Sequence, residues 1–284
     1  MPSMTLDPDR LCVHQVTLMK QCDFAQSLDA FVRNGIFKTA VWREKLDAIG
    51  TQEGSRLLKD SGVDAVSLCA GGFLTSRDPA NFQSSLDDNR RWIEQAAAIG
   101  AASLVVITGG LDEGDRDLAG ARKRALEGFS QLIPEARAAG IRLALEPLHP
   151  MVCGFRSVLS SLREANDWLD QLESDSAMAR EVLGIALDSY ALWWEADLEA
   201  QIERAGQRII NFHVSDWLPD TCDLRLDRGM PGDGGIDNLR IRQWIEAQGY
   251  NGPVEVEIFS ERNWWLRDPN EVLKVIKERC ATAI

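Results

Sequence analysis

The sequence predicts a single-domain α/β protein, a (β/α)8 TIM barrel spanning residues 1–284, and three observations carry that prediction. Short runs rich in Val, Ile and Leu alternate with longer amphipathic stretches from one end of the chain to the other. The 284 residues accommodate eight strand-then-helix units at a mean spacing of about 35 residues, and ~250 residues are typical of such a barrel. No Pro/Ser-rich linker divides the chain, and no G-x-G-x-x-G follows the first strand, which weighs against a dinucleotide-binding doubly wound sheet.

The elements follow in order. A strand over 11–18 precedes helical spacing over 27–34, and a strand over 37–42 precedes a helix over 52–61. The pairs continue as 63–69 with 87–99, 103–108 with 116–139, 141–147 with 158–172, and 183–188 with 198–205. The last two are 209–215 with 239–248 and 254–259 with 270–281. Near-continuous apolar runs are the mark of strands covered on both faces. Several helices stop at a glycine just before the next strand, as in Ala139-Gly140 and Ser61-Gly62, where a left-handed C-cap carries no Cβ penalty.

Composition narrows the functional classes. Acidic residues number 44 against 31 basic, for a net charge of -13, so no basic face is available to neutralise a nucleic-acid backbone. No apolar run approaches the ~20 residues of a membrane span, and the Asp-Pro-Asp-Arg segment is not followed by the apolar stretch of a signal peptide. The six cysteines are scattered without a C-x-x-C pair and read as reduced thiols. The expectation is a cytoplasmic protein acting on a small-molecule substrate, with homo-oligomerisation left open.

Chemistry in such a barrel sits where strands end and the following loops begin. Four successive strand ends carry Glu146, Asp188, His213 and Glu257. Each lies in a run that should be buried, where an unpaired charge costs several kcal/mol. Three carboxylates and an imidazole form a mixed oxygen/nitrogen set suited to one divalent metal ion: Mn2+, Mg2+, Co2+ or Zn2+, with Mn2+ favoured. The chain has only three histidines, His14, His149 and His213, too few for the trinuclear zinc site of barrel endonucleases that act on abasic DNA.

At these residues the sequence resembles the xylose-isomerase-like TIM barrels, the sugar phosphate isomerase/epimerase superfamily that includes ketose 3-epimerases and hydroxypyruvate isomerases. The resemblance runs from Cys12-Val-His-Gln-Val-Thr through Leu145-Glu-Pro-Leu-His-Pro-Met, Ala186-Leu-Asp-Ser-Tyr and Phe212-His-Val-Ser-Asp-Trp. It continues through Asp227-Arg-Gly-Met-Pro-Gly-Asp-Gly to Val254-Glu-Val-Glu-Ile-Phe-Ser. It implies that Glu146, Asp188, His213 and Glu257 bind the metal, that Glu146 and Glu257 also move the substrate proton, and that Arg228 binds substrate. These barrels commonly carry a histidine three residues after the strand-six aspartate; here Ala191 takes that place and the substrate contact it would make is missing.

Further residues are expected near the mouth. Trp193, Trp194 and Trp265 follow strand ends and are expected to wall a ligand pocket. His149 should project over the site as a substrate contact or a structural hydrogen bond. Gln15, Arg43 and Asp216 lie near strand ends, and Asp216 either binds substrate or orients His213. The loops after strands seven and eight hold no glycine-rich phosphate cradle. The leading function is a metal-dependent isomerase or epimerase of a ketose or keto-acid acting through an enediolate. A lyase or dehydratase on a keto-sugar or cyclic hydroxy-acid, and a non-catalytic metal- and sugar-binding barrel, are the alternatives.

Overall fold

The apolar runs fold into strands because both their faces are covered, by helices outside and by facing strands within. The computed structural model describes residues 5–284, so the first four residues of the expected domain lie outside it. The strands are β1 (Leu11–Val13), β2 (Lys38–Trp42), β3 (Asp64–Gly72), β4 (Ser103–Ile107), β5 (Arg142–Leu145), β6 (Leu183–Asp188), β7 (Ile209–Val214) and β8 (Val254–Val256). They form one sheet in the order β1-β8-β7-β6-β5-β4-β3-β2, parallel throughout. At the seam between β1 and β2 side chains take over from the backbone ladder. The Thr39 hydroxyl donates to the Val13 carbonyl at 2.7 Å, and the Trp42 N–H donates to Gln15 Oε1 at 3.0 Å.

The outer layer comprises α1 (Phe24–Arg33), α2 (Arg43–Ile49), α3 (Thr51–Ser61), α4 (Pro79–Ala98), α5 (Leu118–Ala139), α6 (Leu162–Asp175), α7 (Ala177–Val182), α8 (Ser189–Leu192), α9 (Leu198–Ala205), α10 (Asn238–Ala247) and α11 (Pro269–Cys280). Their starts are set by short polar caps. Asp23 and Gln26 form a reciprocal capping box on α1, and Asp78 before Pro79 and Asp268 before Pro269 satisfy the first free N–H groups of α4 and α11. Gly62 and Gly140 close α3 and α5 in the left-handed conformation, as the sequence predicts.

Several boundaries differ from expectation for identifiable reasons. The runs 11–18 and 254–259 continue apolar past the strands because the chain stays buried while leaving the sheet; Gln15–Leu18 is a 3-10 turn. Hydrophobicity there reports burial, not extension. The α1 and α4 starts fall earlier than their apolar periodicity, at their Asp caps, and α6 begins only after Ser161 caps it. The segment forming α2 is too short for a helical period to show.

Two apolar layers result. One lies between strands and helices, with Leu18, Phe31, Leu68, Phe129, Leu187 and Phe212 fully buried. Inside the barrel the residues are small: Cys12, Ala40, Cys69, Val105, Ala144 and Ala186. Their size leaves room for a polar network centred on the fully buried Glu255. Glu255 accepts from Asn211 Nδ2 at 2.8 Å and from the Ser67 hydroxyl at 3.3 Å, and lies 3.2 Å from His14 Nε2. Burial pushes the Glu255 carboxyl pKa up, but His213 and His14 outweigh it and hold the group below its ordinary value.

Candidate functional site

Glu146 follows β5, its N–H bonded to the Val106 carbonyl at 3.0 Å, and Glu257 follows β8 with its N–H on the Val214 carbonyl at 3.0 Å. Asp188 ends β6, and His213 lies opposite both Asp188 and Glu255 in the sheet register. Closure of the sheet therefore turns four separated positions into one buried cluster at the C-terminal mouth. Oxygens of Glu146, Asp188 and Glu257 lie within 4.8 Å of one another, and His14, His213 and Glu257 form a second such group. His213 Nδ1 is 3.0 Å from Glu146 Oε1, while its Nε2 faces Glu255 Oε2 at 3.7 Å.

Arg228 reaches into the cluster. Its Nη1 donates to Asp188 Oδ2 at 3.1 Å and to Glu257 Oε2 at 2.9 Å, and the guanidinium sits 4.4 Å from the Tyr190 ring centroid. His14 lies between two acids, with Nδ1 3.2 Å from Glu257 Oε1, and packs edge-on against His213 at 4.6 Å. These charges set the protonation pattern. Burial raises the Asp188 pKa, with Arg228 only partly opposing it. Burial also acts to raise Glu257, but Arg228 and His14 outweigh it and hold that carboxylate well below the usual range. Burial alone would lower both imidazoles, yet Glu255 and Glu257 bring His14 to about 9, and Glu255 and Glu146 bring His213 to about 10.

The donor set fits a divalent ion. Ligand atoms sharing one ion through bonds of about 2.1–2.4 Å lie at most about 4.8 Å apart, and the oxygens of Glu146, Asp188 and Glu257 all fall within that limit. His213 directs Nδ1 at one of these carboxylates, Glu146, and falls within the same limit of Glu257.

The other expected residues are distributed unevenly. Asp216 neither faces the cluster nor orients His213. It is fully buried and accepts the backbone N–H groups of Trp217, Gly232 and Ile236 at 2.9, 2.7 and 2.9 Å, so it shapes the loop that carries Arg228. The carboxylate facing the far side of His213 is Glu255 instead. His149 accepts the Met151 N–H on Nδ1 at 3.2 Å and stacks on Trp217 at 4.7 Å, while also lining the mouth. Gln15 and Arg43 are occupied structurally: Gln15 Nε2 donates to the Ser27 hydroxyl and Arg43 Nε to the Ala70 carbonyl.

The aromatic walls also differ from expectation. Trp193 lies along an outer groove between α9 and α10, its ring tilted against Trp217 at 5.8 Å between centroids. Trp194 gives its indole N–H to the Ala191 carbonyl at 2.7 Å and meets His149 at the rim, 6.2 Å between ring centroids. Trp265 is buried and ties two loops together, donating to the Val16 and Ile258 carbonyls at 2.9 and 3.2 Å. The rings that border the carboxylates are Trp42 and Phe259, 5.5 Å apart and edge to face. Glu255 and His14 are the site residues that the strand-end pattern passes over. For Glu255 the signal is present in Val-Glu-Val-Glu: residues two apart on a strand share a face, so Glu255 and Glu257 both point inward.

A closed parallel barrel with buried carboxylates and an imidazole at its C-terminal mouth defines a class of barrel with a mixed-donor polar site. The chain belongs to the xylose isomerase-like TIM barrel family, whose model matches residues 27–279. It is similar to the inosose isomerase of Halalkalibacterium halodurans, 22% identical over 279 residues, covering 95% of this chain and 94% of that protein. A crystal structure of a Sinorhizobium meliloti 1021 protein superimposes with a TM-score of 0.91 at 41% identity, covering 96% of this chain and 98% of the other. The IolI protein with a bound zinc atom has the same fold, with a TM-score of 0.79 at 18% identity over 95% of this chain and 96% of that one.

Proposed function

We propose that this protein is a divalent-metal-dependent isomerase or epimerase of a small hydroxy-carbonyl compound, a ketose or keto-acid. One observation carries the reading: Glu146, Asp188, His213 and Glu257 converge, buried, at the end of the barrel where this fold does its chemistry. The family membership and the similarity to an isomerase support it. These four residues would hold the ion, Mn2+ being favoured by a donor set rich in carboxylates. When bound, the ion supplies the positive charge that acidifies the C–H beside the substrate carbonyl.

The chain's own residues divide the remaining work. Glu146 and Glu257 follow different strands, β5 and β8, and serve as base and acid, one removing the proton and the other returning it. Arg228, on Asp188 and Glu257, holds those carboxylates in place and offers its edge to a substrate oxygen. Trp42 and Phe259 shield the reacting carbon from water. Ala191, at the mouth, leaves space where related barrels place a histidine.

Elemental analysis and melting curves with and without EDTA test the metal. Bound metal and a lower melting temperature after chelation are expected, since an ion that binds only the native state stabilises it by mass action; no metal and no shift would overturn the reading. Turnover in D2O tests the proton relay: deuterium should appear at the carbon next to the carbonyl. Glu146→Gln and Glu257→Gln should each slow exchange by about 10²-fold or more. Normal exchange in both variants with metal still bound would remove the pair from that role.

A further inference from the structure

Arg156, in the loop between β5 and α6, has no role in the site described so far. It is half-buried, and among the described residues its guanidinium makes no hydrogen bond and no ion pair. The neighbouring arginines are engaged: Arg43 on the Ala70 carbonyl and Arg228 on Asp188 and Glu257. Arg156 borders two adjoining cavities of about 50 Å3 each, which share it with Leu148, Arg228 and Phe259. One cavity reaches Glu146 and Glu257; the other reaches Arg225 and Ala191.

The electrostatics leave this group in need of a partner. Burial lowers the Arg156 pKa, and the like charges of Arg225 and Arg228 lower it further, with Glu146 and Glu257 only partly opposing them. A half-buried guanidinium beside two others is stabilised by an anion that joins them. On a molecule of net charge -13, three arginines line one opening, a local concentration of positive charge that favours an anionic ligand. The guanidinium fork matches a carboxylate or a phosphate. This anion-seeking group follows strand five, whereas the loops after strands seven and eight hold no glycine-rich cradle.

We propose that the substrate is an anionic hydroxy-carbonyl compound: its carboxylate or phosphate binds Arg156, with Arg225 at the rim, while its hydroxy-carbonyl end lies against Glu146 and Glu257. This assignment rests on the isomerase reading of the carboxylate cluster and adds the charge of the molecule that occupies it.

Three probes share one hydroxy-ketone and differ beyond it: hydroxypyruvate carries a carboxylate, dihydroxyacetone phosphate a phosphate, and dihydroxyacetone a neutral hydroxyl. Their affinities are measured by calorimetry on the Mn2+-loaded wild type, Arg156→Gln and Arg156→Lys. At least one anionic probe should bind about tenfold or more tighter than dihydroxyacetone, as a charge-assisted contact implies. Arg156→Gln should erase that preference, and Arg156→Lys should keep part of it. The probe that shows the preference identifies carboxylate or phosphate. No anion preference in the wild type, or one unchanged in Arg156→Gln, overturns the proposal. The underlying reading fails separately: Mn2+ would then leave dihydroxyacetone affinity unchanged, while the Arg156 comparison on the anionic probes still decides whether Arg156 binds the anion.

Discussion

Glu255 shows how one residue can govern a site it does not enter. It takes hydrogen bonds from Asn211 and Ser67, lies against His14, and faces the ring nitrogen of His213 that points away from Glu146. From there, across 3.7 Å, its charge raises the imidazole's basicity, as carboxylates behind metal-binding histidines do. Glu255→Gln should therefore lower Mn2+ affinity by about 10–100-fold, read by calorimetric titration, with little change in the far-ultraviolet circular dichroism. Unchanged affinity would reduce Glu255 to a buried strut. Asp216 teaches the converse. Its sequence position suggests substrate or His213, yet three backbone N–H groups claim its oxygens.

At the scale of elements, the barrel is closed at β1/β2 by side chains. Thr39 supplies the hydroxyl that satisfies the Val13 carbonyl, so Thr39→Val should cost about 1–2 kcal/mol, measured by denaturant unfolding, because a buried acceptor loses its donor. A cost near zero would mean that another group closes the seam. The loops after the strands separate packing aromatics from pocket aromatics. Trp42, at the end of β2, borders the carboxylates, whereas Trp193 lies outside the barrel. Trp42→Ala should weaken binding of a hydroxy-ketone probe, and Trp193→Ala should leave it unchanged. The reverse result would restore Trp193 as a pocket wall.

At the scale of the whole molecule, a small cluster of buried charges occupies the centre of the barrel. His14 and His213, raised to about 9 and about 10 from 6.5, hold protons in the metal-free native state that the unfolded chain releases at lower pH. Their contribution to stability is complete below the unfolded value and is lost as pH rises through the folded values. The metal-free protein should thus melt at progressively lower temperature between about pH 7 and pH 10. In the proposed metal-bound form His213 gives up the proton on its liganding nitrogen, so the metal-loaded protein should lose less over that range. Thermal scans of both forms check this; equal slopes would show that His213 does not change protonation on loading.

Much of this protein is decided by local pattern. Alternating apolar runs and amphipathic stretches specify strands and helices, glycines mark their ends, and a carboxylate or histidine closing an apolar run marks a strand end that faces the site. Those signals lie within a few residues of one another, which is why β6 and α9 match their expected bounds and why Glu146, Asp188, His213 and Glu257 are legible. Partnership across the barrel is not local. Closing the sheet brings Arg228 onto Asp188, His14 between Glu255 and Glu257, and Arg156 beside the opening that Glu146 and Glu257 line. The sequence carries the identities of these residues, but only the tertiary fold decides which charges meet, because their pairing depends on the circumference and register of the closed barrel and not on spacing along the chain.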